Sequence, residues 1–175
     1  MYSLQSFLCF RLNKSSREKD TGAIATLGAF AVALTKVIND VQANRKDGIK
    51  GPFTCYRGIA VPKNVIEKWK KSDFIDIDGF GSASMDKGVA LNFAVHGETD
   101  ALEQVILSIN FENKKGKHYI CMDRSEYTVY LDEKEVLLQA GLRAEVMSFD
   151  VMNEHTDSPV TTFNLYISDA SVKTE

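Results

Sequence analysis

Three short runs of the 175-residue chain carry side chains that could do chemistry together. Tyr56-Arg57-Gly58 offers a guanidinium whose planar fork matches a phosphate or a carboxylate, followed by a residue that lets a ligand approach the backbone. Phe80-Gly81-Ser82-Ala83-Ser84 holds the only Ser-x-Ser of the sequence, and a strand there could aim Ser82 into a cleft. Asp132-Glu133-Lys134-Glu135 holds the only Glu-x-Glu and leads directly into the apolar run Val136-Leu137-Leu138. Two residues apart on a strand, both carboxylates would share a face and Lys134 would point away. Partial burial beside a second carboxylate is how two acid groups come to take different roles. Taken singly, each run also has a plainer reading. Arg57 could be a rim cation, Ser84 a helix cap, Phe93 a core residue and the glutamates a solvated strand start.

These runs need elements to hold them. Ile24, Leu27, Ala31, Leu34, Ile38 and Val41 recur at helical spacing, which predicts a long helix over 20–44, with Lys36, Asn39, Asp40 and Gln42 on its other faces. Gly48, Gly51 and Pro52 end it and open a loop. A strand is expected at Phe53–Arg57, then a short helix begun by Pro62 and running through Val65, Ile66 and Trp69. Ser84 is expected to cap a helix over Asp86–Val95, with Asp86 suited to its positive end. Strands are expected at Glu103–Phe111, Val129–Gln139, Leu142–Val151 and Val160–Ile167, the last with a phase slip near Thr161, and a turn over Asn113–Lys117. Helices first and strands later give an α+β order rather than a βαβ repeat.

Composition sets bounds on the rest. The length suits one domain, and 44% hydrophobic with 26% charged residues excludes a disordered chain. Twenty-one Lys and Arg against 24 Asp and Glu leave a charge of −3, without the basic surplus of a generic nucleic-acid binder. The longest apolar block, Gly22–Leu34, is short of the ~20 residues that span a bilayer. Cys9, Cys55 and Cys121 are odd in number and widely spaced, and His96, His118 and His155 lie far apart, so neither a disulfide framework nor a metal site is expected. Residues 1–12 lack the features of a signal peptide, which favours a reducing, cytoplasmic setting; a chain trimmed from a longer secreted one would read the same.

Taken together and in order, the three runs resemble the R-S-E class of mono-ADP-ribosyltransferases, which includes arginine-specific animal ecto-enzymes and several bacterial toxins. The family pattern is Arg on a first strand, Ser-Thr-Ser on a second and Glu-x-Glu on a third. Here it reads Tyr56-Arg57-Gly58, Ser82-Ala83-Ser84 and Glu133-Lys134-Glu135, with Asp86 to Ala94 similar to the helix after the serine motif. The likeness runs from about Leu27 to Ile167. Ala83 replaces the family's middle Thr, and the secretory and disulfide features of the animal ecto-enzymes are absent. Arg57, rather than His, separates the chain from the class that includes the poly-ADP-ribose polymerases.

The resemblance implies a split β-sandwich of two packed sheets around an NAD cleft, with helices mainly in the N-terminal half. It implies one catalytic domain over 1–175: an N-terminal extension (1–19), the long helix (20–45) and a β-rich core (53–168). NAD would be the co-substrate, with no metal, and a protein arginine the acceptor. Arg57, Gly58, Ser82, Ser84, Phe93 and Glu135 would bind NAD. Of these, Arg57 would hold the pyrophosphate, Phe93 would pack near the nicotinamide, and Ser82 would orient Glu135 against the 2′-hydroxyl. Arg57, Ser82, Glu133 and Glu135 form the expected catalytic set. Glu133 would pair with the acceptor guanidinium and take its proton, and the segment Arg124–Asp132, with Tyr127 and Tyr130, would recognise the target. An NAD glycohydrolase and a non-catalytic NAD-sensing or interaction module remain open alternatives.

Overall fold

A computed structural model describes residues 13–14, 18, 21–45, 49, 51–96, 101–112, 117–124, 128, 130–152 and 159–168. Helix α1 spans Thr21–Asn44, α2 Lys63–Trp69 and α3 Lys87–His96. The strands are β1 (Phe53–Val61), β2 (Phe74–Ile77), β3 (Gly81–Ser84), β4 (Glu103–Phe111), β5 (Tyr119–Cys121), β6 (Glu135–Leu138), β7 (Leu142–Met152) and β8 (Val160–Ile167).

The strands join in the order β2-β7-β8-β4-β1-β3-β6-β5, with β4 and β8 parallel and every other pair antiparallel. The join between β1 and β3 rests on one register pair, Tyr56 with Ser84, whereas β1 and β4 stay in register from Phe53 to Val61. The sheet therefore splits there into five strands and three. The two parts close on a shared core: Cys55, Leu107, Ile109 and Phe163 from the larger pack with Ala83, Tyr119, Cys121, Val136 and Leu138 from the smaller. Across it the rings of Phe53 and Tyr119 lie 4.3 Å apart.

Both outer faces of the split carry a helix. On α1, Leu27, Ala31, Leu34, Ile38 and Val41 meet Phe80, Ile120, Met122 and Leu137, so the helical stripe read in the sequence covers the three-strand part. The side chain of Ile24 lies outside the described residues. Asn39 does not merely face outwards: its amide donates to Gln139 and its oxygen accepts from the backbone of buried His118. Helix α3 covers β1 and β4 through Ala90, Ala94 and Ile106, so β4 is buried on both faces rather than alternating.

Several expectations change. β1 runs on to Val61, and Pro62 caps α2 rather than sitting inside it. No strand covers 130–134: Leu131–Glu133 form a 3₁₀ turn, Lys134 adopts a left-handed φ of 45°, and β6 starts only at Glu135. Val129 and residues 113–116 of the expected turn lie outside the described residues. β2 and β5, of four and three residues, are additions. Among the described residues no helix is long and apolar enough to cross a membrane.

Candidate active site

The site forms where the sheet splits. Past Tyr56, β1 continues beside β4 while its register with β3 has ended, so Arg57 and Gly58 stand at the head of the opening between the two parts. β3 and β6 run together from Gly81–Leu138 to Ser84–Glu135, which sets Ser82 two residues from Ser84, the position opposite Glu135, and so on the same face of the sheet as Glu135.

Three side chains meet there. Ser82 Oγ donates to Glu135 Oε1 at 2.7 Å, and Arg57 Nη1 donates to the Ser82 carbonyl at 2.5 Å. The guanidinium packs on Gly81, where an added Cβ would sit 3.0 Å from Nη1 and 3.3 Å from Cζ, so a side chain at position 81 would require Arg57 to shift by a few tenths of an ångström.

Glu135 is 4% exposed, and its second oxygen, Oε2, is buried without a hydrogen-bond partner. Burial pushes its carboxyl above the ordinary range; the Ser82 hydrogen bond opposes that shift, and the nearby charge of Glu133 adds to it. A buried acceptor lacking a donor is costly, and leaving it so suits a group that receives its donor from a ligand.

Glu133 is half-buried on the 3₁₀ turn, not on the strand. The left-handed Lys134 separates the glutamates, so the shared-face expectation for the two carboxylates is replaced by a bend. That bend is held from β3: Ser84 Oγ donates to the Glu133 carbonyl at 2.6 Å, and the Met85 amide donates to the Lys134 carbonyl at 3.1 Å. Ser84 thus braces the acidic turn while its hydroxyl accepts from the Asp86 amide at 2.9 Å, one residue before α3 begins. The cap is Asp86, whose carboxylate accepts from the Gly88 amide at 2.8 Å and the Val89 amide at 3.4 Å. These amides, then Lys134 at 3.6 Å, hold the Asp86 carboxyl below its usual range.

Gly58 serves close packing. An added Cβ would collide with the Ala90 carbonyl and sit 2.9 Å from the Ala94 amide nitrogen, so the missing side chain lets α3 press onto β1. Helix α3 presents Phe93, 46% exposed, and Tyr130 is exposed just before the 3₁₀ turn. Tyr127 lies outside the described residues. Ala83 faces the core among Val136 and Leu138, where a small apolar side chain fits. Among the described residues no group of three His, Cys, Asp or Glu could hold a metal ion.

No family model and no curated protein matches the chain. Solved structures do. The chain is similar over 99% of its length to the ADP-ribosyltransferase Vis of Vibrio splendidus, at 21% identity, a TM-score of 0.66 and 72% of that chain. The chain has the ADP-ribosyltransferase fold. The enzymatic component C2-I of the Clostridium botulinum C2 toxin shares it at 12% identity and a TM-score of 0.65, with 42% of that chain covered. So does the toxin Plx2a of Paenibacillus larvae, at 16% identity and a TM-score of 0.61, over 89% of this chain and 78% of that one. Within this fold, Arg57, Ser82 and Glu135 lie on three strands that meet at the split.

Proposed function

We propose that the chain is a mono-ADP-ribosyltransferase that cleaves NAD and moves ADP-ribose to a protein arginine. The observation that carries this reading is Glu135: a buried carboxylate with one oxygen bound by Ser82 and the other free to accept a hydroxyl. A ribose 2′-hydroxyl is such a donor, and the carboxylate would also face the positive charge that develops as the glycosidic bond breaks. NAD, when bound, supplies the ADP-ribosyl group and a nicotinamide that departs with the electron pair of that bond.

The chain's residues divide the remaining work. Arg57, a permanent cation at the mouth of the split, would hold the pyrophosphate, and its hydrogen bond to the Ser82 carbonyl ties it to the residue that binds Glu135. Gly58 and Ser84 would set the cleft's backbone, and Phe93 would pack against the nicotinamide. Glu133 would pair with the acceptor guanidinium and remove its proton as the new C–N bond forms, since a guanidinium is no nucleophile until deprotonated. Tyr130 and Tyr127 would contact the target protein. Vis has been crystallised with agmatine, which carries the same guanidinium group, and that supports arginine as the acceptor.

The test is incubation with NAD and a protein mixture, followed by mass-spectrometric mapping and a nicotinamide assay. ADP-ribose on arginine is the expected result. Nicotinamide release with only free ADP-ribose would make the chain a glycohydrolase. No release from the wild type, or unchanged release from Glu135→Ala, would overturn the reading.

A further inference from the structure

The segment between β5 and β6 carries Tyr130 and Glu133, and both of its ends are fixed. At its base the Met122 amide donates to the Glu135 carbonyl at 2.8 Å. At its far end Ser84 holds the Glu133 carbonyl. Where it leaves β5 the anchor comes from a distant element: Arg45, the residue after α1, grips Asp123 with both arms of its fork. Nη1 meets Oδ1 at 2.9 Å and Nη2 meets Oδ2 at 3.1 Å, while Nη1 also donates to the Cys121 carbonyl at 3.1 Å.

This is not a loose surface pair. The Arg45 side chain is 7% exposed, although the Asp123 side chain is 51% exposed, and the geometry is bidentate, which sets the pair apart from the fully exposed ion pairs that contribute little. Beyond Asp123, short hydrogen bonds link the described residues of the segment. The Thr128 amide donates to the Arg124 carbonyl at 3.1 Å, the Tyr130 amide to Thr128 Oγ1 at 3.0 Å, and the Glu133 amide to the Tyr130 carbonyl at 3.2 Å. The position of Glu133 thus depends on Ser84 at one end and on Arg45 at the other. Ser82 and Glu135, in contrast, sit on the β3–β6 ladder, and Glu135 meets the base of this segment through its backbone carbonyl, at Met122.

We infer that Arg45 is a positioning residue for the acceptor half of the reaction, acting through Asp123 on the segment that bears Tyr130 and Glu133. The inference rests on the proposed transferase reading for its catalytic consequence, and on the hydrogen-bond path alone for its structural one. Two readouts keep these separate.

The first is amide hydrogen exchange at Thr128, Tyr130 and Glu133 in the full chain. Arg45→Met should speed it while the β6 amides stay protected. Unchanged exchange in the segment overturns the inference, whatever the enzyme does. The second is kinetic. Arg45→Met should raise KM for agmatine roughly tenfold, within the ~10² that a 1 Å misplacement can cost, and leave nicotinamide release without acceptor within about twofold. Arg45→Lys, which keeps the charge but not the fork, should recover only part of the loss. Asp123→Asn should match Arg45→Met, and the double variant should be no worse than either. Equal losses in both assays, or additive effects of the two substitutions, overturn the positioning role. A wild type that releases no nicotinamide overturns the transferase reading instead, and the exchange result then decides the tether by itself.

Discussion

Ser82 and Glu135 form the central pair of this site: the serine hydroxyl donates at 2.7 Å to one carboxylate oxygen, and the other oxygen lies buried with no donor. Ser82 therefore both aims the carboxylate and offsets part of what burial costs its charge. Removing the hydroxyl should weaken both effects. Ser82→Ala should slow nicotinamide release by about tenfold, less than the ~10²–10³ lost when a group facing the developing charge is itself removed. It should also move the acid limb of the pH–rate profile upwards. A steady-state pH series on the two proteins checks both expectations.

Glu135 also makes stability depend on pH in the less common sense for an acid. Its folded pKa is raised above the unfolded value of 4.5, so between the two the folded state binds more protons than the unfolded one. Its contribution is fully present below pH 4.5 and is lost as pH rises through the folded pKa. Glu135→Gln keeps the shape and drops the charge. It should melt higher than the wild type at pH 7, with the difference narrowing as pH falls towards 4.5. Thermal unfolding at several pH values measures this; a wild type that melts higher at pH 7 would contradict it.

The sequence made the members of the candidate site easy to single out because each sits in an element with a strong local signature. Arg57 follows the alternating Phe53 and Cys55, Ser82 lies among small residues before a helix start, and Glu135 opens a run of apolar residues. The geometry of the Glu-x-Glu run was not legible. Period-two spacing puts both carboxylates on one strand face only if the strand already includes Glu133, but Glu133 closes a 3₁₀ turn and the left-handed Lys134 delays β6 until Glu135. A lysine gives no hint of positive φ, unlike glycine or asparagine. The cap of α3 was hidden too, since Ser84 and Asp86 are both good cap residues; Asp86 accepts from the helix amides, and the Ser84 hydroxyl accepts from Asp86 while donating to the Glu133 carbonyl. The short β2 and β5 hold too few residues to show a period. The contact of Arg45 with Asp123 spans 78 positions and leaves no local trace.

Gly58 offers a test of packing separate from chemistry. Its added Cβ would meet backbone atoms, 2.7 Å from the Ala90 carbonyl carbon and 2.9 Å from the Ala94 nitrogen, so no side-chain rotation can relieve the clash. Strand β1 and helix α3 would have to separate. Gly58→Ala should cost about 1–3 kcal/mol, the range for overpacking, or several degrees in a domain of this size. Differential scanning calorimetry checks this. Because α3 also carries Phe93, NAD affinity should weaken with it. An unchanged melting temperature would mean that the helix yields freely.

Glu133 and Glu135 should separate cleanly under substitution, because they are held by different parts. The backbone carbonyl of Glu133, not its side chain, accepts the Ser84 hydroxyl, so Glu133→Gln leaves the brace of the turn intact. Its carboxylate also adds to the upward shift of Glu135. Losing that charge should make Glu135 slightly easier to ionise and keep nicotinamide release within about twofold of the wild type. On the proposed reading, transfer to agmatine would lose its general base and should fall by roughly 10²–10⁴. The two assays run on one preparation give the ratio directly. A parallel fall in both would place Glu133 on the NAD-cleaving side of the reaction, and undiminished transfer would leave the acceptor proton to another group.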